Sequence, residues 1–159
     1  METNLLLNDD DIAKLTNISG NVDIDKIVPF IYMAQNNNIK RVLGIELFDK
    51  MLLDFTNDTL SGEYLIVYGY VRDILVYYTA SSYWLFGQYR IDNAGAYTKS
   101  VENSTNLEEE TIIRIGTMYE QNAAGVEINL MNYLESSSIV EYKQDKGDTT
   151  TPNFNWYLD

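Results

Sequence analysis

The chain has 159 residues, 45% of them hydrophobic, with a net charge of −13 from 24 acidic and 11 basic residues. That is the length of one domain with enough apolar material for a core, which excludes a disordered polymer. The acidic balance excludes a basic nucleic-acid footprint, and the absence of histidine and cysteine excludes disulfides, thiolate nucleophiles and Ser-His-Asp catalysis within the chain.

Met1 to Asn8 lacks the basic start, apolar run and small-residue cleavage site of a secretory signal, and reads as a flexible arm. Asp9-Asp10-Asp11 opens a short helix carrying Ile12 and Leu15, because carboxylates oppose the macrodipole at a helix start; Ser19-Gly20-Asn21 stops it. A second helix begins near Asp23 or Asp25, with Ile24, Ile27, Val28, Ile31 and Ala34 at helical spacing. Pro29 must fall in its early turns, where a missing N–H costs least, and Asn36-Asn37-Asn38 weakens its end. Gly44 marks a left-handed cap or turn, and the next helix carries Ile45, Phe48, Met51, Leu52 and Phe55 on one face.

Gly62 to Phe86 predicts the central helix. Val67, Val71, Ile74, Leu75 and Tyr78 form one stripe and Ile66, Tyr70, Tyr77 and Trp84 another, so it is apolar almost all round and must be enclosed by other helices or other subunits. The run is long enough to span a bilayer, but Arg72 and Asp73 near its centre make it a buried helix of a protein that does not enter the membrane. Gly87 to Asn106 reads as a long loop or irregular hairpin, with Ala96-Tyr97-Thr98 in strand conformation; Ile91, Ala94, Ala96 and Tyr97 are candidate partner-binding residues. Thr105 with Glu108, or Asn106 with Glu109, gives a capping-box start to a last helix that runs through Ile112, Gly116, Tyr119, Ala123, Val126, Leu130 and Leu134 to Ser136. From residue 139 the chain predicts an extended tail, with Ile139-Val140-Glu141-Tyr142 as strand. The cluster Phe154, Trp156, Tyr157 and Leu158 ends that polar tether, and these four are candidate anchors on another chain. The fold class expected is mainly α: a bundle of four to five helices over 9–138, between the arm 1–8 and the tail 139–159.

Catalytic constellations are weak. No GxxxxGK or GxGxxG loop is present, so no cofactor site is expected. Asp9 to Asp11, Asp23 with Asp25, and Glu46 with Asp49 are tight carboxylate groups with the chemistry to hold magnesium, which keeps a carboxylate-dependent metalloenzyme as a third reading. Each is more simply a helix-start charge or a solvated face, and Lys40-Arg41 a helix-end charge.

The stretch Asp23-Ile24-Asp25-Lys26-Ile27-Val28-Pro29-Phe30-Ile31, then Ala34-Gln35, Val42-Leu43-Gly44 and Leu47-Phe48, resembles head–tail connector proteins of tailed bacteriophages, also called adaptor or ring proteins, as in the crAss-like phages of gut Bacteroidetes. Lys99-Ser100-Val101-Glu102-Asn103-Ser104 before an acidic helix start is similar too, and the likeness extends over Asp9 to Leu134. The resemblance implies a helical adaptor without catalytic residues, assembled as a ring of about twelve copies beneath the portal protein. It also implies contacts with other connector or tail proteins and viral DNA passing through the channel without specific binding. The location implied is the head–tail junction of the virion, after assembly in the host cytoplasm. The competing reading of the residues is a cellular helical module that binds or regulates another protein.

Overall fold

The computed structural model describes residues 4–8, 10–87, 89–92, 95–98 and 107–147. The fold is mainly helical. Helix α1 (Asp11–Leu15) is a single short element. After a 3-10 turn at Ile24–Lys26, whose start is fixed by the Asp23 carboxylate accepting the Asp25 N–H at 3.2 Å, helix α2 (Val28–Ala34) begins with Pro29 in its first turn. The asparagine run does not end the helix. A π turn at Gln35–Ile39 carries it into α3 (Lys40–Leu43), and this wider turn brings both Gln35 and Ile39 to the core side. Gly44, at φ 79 and ψ 168, joins α3 to α4 (Ile45–Thr56) in a conformation that favours glycine.

Helix α5 (Gly62–Phe86) has the predicted bounds and is the axis of the molecule. Val67, Val71, Ile74, Leu75 and Val76 are fully buried along it. Strands β1 (Tyr89–Asp92) and β2 (Gly95–Thr98) form an antiparallel hairpin, and α6 (Glu109–Ser136) then returns beside α5. The contacts establish the antiparallel sense: Leu85 lies over Gly116, Tyr77 stacks on Tyr119, Tyr70 meets Tyr133, and Glu63 accepts from Ser138. Another side of α5 is covered by the earlier helices, with Phe30 edge-on to Tyr83 at 5.8 Å and Phe55 against Tyr68 at 5.1 Å. Val71, Ile74 and Leu75 share one core with Ile27, Ile31, Phe48 and Tyr119, and Tyr78 and Val126 pack against it.

Four local expectations are corrected. The arm is docked where it is described: Leu6 and Leu7 are buried, and the Gln35 side-chain amide accepts the Leu6 N–H at 2.8 Å and donates to the Asn4 carbonyl at 3.0 Å. Two leucines in a short segment bury too much apolar surface to stay in water, and one buried amide satisfies the backbone between them. Ile45 points outward, 59% exposed, and Leu47 takes the core position instead, because the helix starts at Ile45 with its apolar face centred on Leu47, Phe48 and Met51. Helix α6 begins at Glu109 with Glu108 as N-cap and no side-chain cap bond. Residues 140–147 are a helix, α7 (Val140–Gly147), where a strand and extended tail are predicted. Ile139 and Tyr142, three residues apart, both turn inward, which suits helical and not alternating spacing.

Candidate assembly interface

Of the predicted carboxylate groups, some serve the fold, and Asp9 lies outside the described residues. Asp10 is ion-paired with Lys14, Asp11 accepts the Asn8 N–H at 3.0 Å, Asp23 caps its turn, and Glu46 and Asp49 are exposed. Among the described residues no three carboxylates group to hold a metal ion. Arg41 reaches across to Glu127 of α6 at 2.5 Å, while Lys40 lies over the Phe48 ring at 5.3 Å. No helix of the described residues is long and apolar enough to cross a membrane.

Polar contacts lock the two long helices to the earlier layer. Glu127 is buried about two-thirds of the way along α6 and accepts from both the Arg41 guanidinium and the Tyr78 hydroxyl, the latter at 3.1 Å. Burial, then the Glu127 charge, pushes the Tyr78 phenol above its usual range. At the other end, Asn17 donates its N–H to the Tyr119 hydroxyl at 3.2 Å. Its Oδ1 accepts from that hydroxyl at 2.9 Å and from the Trp84 indole N–H at 3.2 Å. Tyr64 donates to Glu141 at 2.7 Å and ties α7 to α5; this bond, with burial, pushes the Tyr64 phenol up to about 12. Such cross-links hold the α5–α6 hairpin as a rigid unit and fix which of its faces are left over.

Those faces are apolar and lie on different edges of the hairpin. On α5, Ile66 is 50% exposed and shares a stripe with Tyr70 and Tyr77, on the edge where they meet Tyr133 and Tyr119. Gly69 beside it opens onto free space. On α6, Ile113 and Met131 lie fourteen residues before and four after Glu127, hence on its side of the helix, and Ile128 follows it directly. Ile113, Ile128 and Met131 are all exposed, so this second apolar strip borders the opposite edge, where Tyr78 and Arg41 meet Glu127. The sequence signal for these residues is weak, because Thr117 and Glu120 interrupt their face and the buried stripe of Ile112, Tyr119, Ala123 and Leu130 dominates the periodicity.

Of the predicted partner residues, Ile91 in β1 pairs with Ala96 in β2, and Tyr97 pairs with Arg90. The structure therefore brings Ile91, Ala96 and Tyr97 together in one hairpin at the end of α5 and α6, flanked by exposed Phe86, Tyr89 and Leu107. Ala94, Phe154, Trp156, Tyr157 and Leu158 lie outside the described residues. A family model matches residues 39–151, from the end of the π turn through α7. The chain belongs to the family of unknown function DUF6712. The DUF6712 match takes in the α5–α6 hairpin, both apolar strips and the Arg41–Glu127–Tyr78 contact. No curated protein and no solved structure matches the chain.

Proposed function

We propose that the protein is a structural subunit of a phage head–tail connector: a ring protein, not an enzyme, that sits between portal and tail in the virion and surrounds the DNA channel. The observation that carries this reading is the pair of apolar strips on different edges of one rigid helical hairpin. A self-complementary patch makes a two-fold dimer, whereas two different patches on different edges favour a head-to-tail contact, which closes into a ring when the rotation allows. Exposed apolar side chains grouped on a helix face are material for a subunit contact. The net charge of −13 supports the channel role, since an acidic wall lets DNA pass without gripping it. The likeness of Asp9 to Leu134 to connector proteins points the same way.

The test is assembly. The purified protein, followed by light scattering and negative-stain imaging over rising concentration, is expected to form closed rings. Ile66→Glu and Ile128→Glu each block ring formation while leaving the monomer's melting temperature within about 1–2 °C, because exposed substitutions cost little stability. Rings that form normally in both variants, or a wild-type chain that stays monomeric throughout, overturn the reading. Salt-sensitive binding of the protein to duplex DNA counts against the channel role.

A further inference from the structure

A groove of about 600 Å³ opens between the docked N-terminal segment, the end of α4 and the first turns of α5. Its apolar walls are Leu5, Leu7, Phe55, Leu60 and Leu65, and Asn4, Thr56 and Asp58 stand along its rim. Tyr68 also lines it, and the Tyr68 hydroxyl is buried with no hydrogen-bond partner among the described residues. A buried phenol without a partner costs free energy that the fold has no reason to bear unless something supplies one.

The chain carries a segment of the matching chemistry. In Asn153-Phe154-Asn155-Trp156-Tyr157-Leu158 the large apolar side chains at 154, 156 and 158 alternate with asparagines at 153 and 155. Laid down in extended form, such a segment turns Phe154, Trp156 and Leu158 to one side and Asn153, Asn155 and Tyr157, with its polar hydroxyl, to the other. That pattern fits an apolar wall with a polar rim, and its backbone carbonyls offer the Tyr68 hydroxyl an acceptor.

Reach also fits. Helix α7 is pinned at its start by the Tyr64–Glu141 bond, and Tyr64 stands one helical turn from Tyr68. From Gly147, residues 148–153 span up to ~20 Å when extended, more than the ~12 Å length of α7 itself. A segment tethered this closely is presented to the groove at millimolar effective concentration, which favours its own chain over a neighbour. We propose that this groove is a peptide-binding seat and that its occupant is the chain's own Phe154–Leu158 segment, folded back from α7 and capping the Tyr68 hydroxyl. This inference does not depend on ring assembly.

The chain has no cysteine, so engineered pairs report position cleanly. Asn155→Cys is combined in the full-length protein with Thr56→Cys, Asp58→Cys or Leu60→Cys, oxidised in dilute solution and run on a non-reducing gel. At least one pair is expected to give a fast-migrating, internally bridged monomer in high yield. A disulfide-linked dimer instead assigns the segment to a second copy and overturns the proposal, as does the absence of bridging in all three pairs. Tyr68→Phe supplies an independent reading: it lowers the melting temperature of the full chain but not of a chain ending at Pro152. Equal effects in the two backgrounds mean that the segment does not touch Tyr68, and overturn the capping role. Flank variants such as Ile128→Glu leave the internal bridge intact, so failure of the ring reading and failure of this one are distinguishable.

Discussion

Three glycines lie inside the two long helices, and the structure gives them opposite roles. At Gly69 and Gly125 an added Cβ meets nothing within 4 Å. At Gly116 it comes 2.8 Å from Leu85 Cγ and 3.0 Å from Leu85 Cδ2, because Leu85 of α5 packs directly over this position. Replacing a mid-helix glycine by alanine gains about 0.8–1.0 kcal/mol of helix propensity. At Gly69 and Gly125 that gain is unopposed, so each Gly→Ala variant is expected to be more stable by about 1 kcal/mol, or roughly 2–4 °C in melting temperature. At Gly116 the gain is set against overpacking of about 1–3 kcal/mol, since Leu85 must move at its branch carbon and not merely at its tip. The expected net effect of Gly116→Ala is a loss of about 1 kcal/mol. Leu85→Ala relieves the clash, so the double variant should be more stable than the sum of the two single effects. Thermal and urea unfolding of the five variants check this. Stabilisation by Gly116→Ala equal to that at the other two glycines refutes the close approach of α5 to α6 at this point. On the proposed assembly, Gly69→Ala also adds a methyl beside the Ile66 strip, and should weaken ring formation while stabilising the monomer.

Leu75→Ala, at a fully buried position on α5, should cost about 2–5 kcal/mol in urea unfolding; a near-zero effect would place this helix at the surface. Gln35→Ala removes both bonds that hold the N-terminal segment and leaves the Leu6 N–H buried without a partner. It should cost about 1–3 kcal/mol, and hydrogen exchange at Leu6 should accelerate well before the core opens. Tyr64 and Tyr68 are both raised from 10.0 to about 12, Tyr64 first by its bond to Glu141 and Tyr68 by burial. The folded state therefore holds these protons more tightly than the unfolded chain. Their contribution to stability is complete below pH 10 and is lost as pH rises from 10 to about 12. Absorbance titration near 295 nm should show Tyr64 and Tyr68 among the late-ionising tyrosines, and Tyr64→Phe with Tyr68→Phe should flatten the alkaline fall in melting temperature.

The sequence by itself determined the helical class, the bounds of α5 and the burial of its Val67, Val71, Ile74 and Leu75 stripe, the place of Pro29 in the first turn of α2, and the special backbone at Gly44. Each follows from local chemistry: an all-round apolar helix needs cover, a proline lacks a donor, and a glycine tolerates positive φ. It also established the absence of histidine and cysteine chemistry, which no fold can restore. What only tertiary structure decided has partners far along the chain. Gln35 is a polar residue in an asparagine-rich run, and nothing local shows that its amide faces residues 4 and 6 through a π turn. Glu127 looks like one more surface carboxylate until Arg41 and Tyr78 converge on it from two other helices. The exposed Ile113, Ile128 and Met131 are hidden in the sequence because Thr117 and Glu120 interrupt their face, while the core stripe beside it carries the regular period. Packing makes the distinction: Gly116 lets Leu85 in on the core face, and the neighbouring face stays exposed.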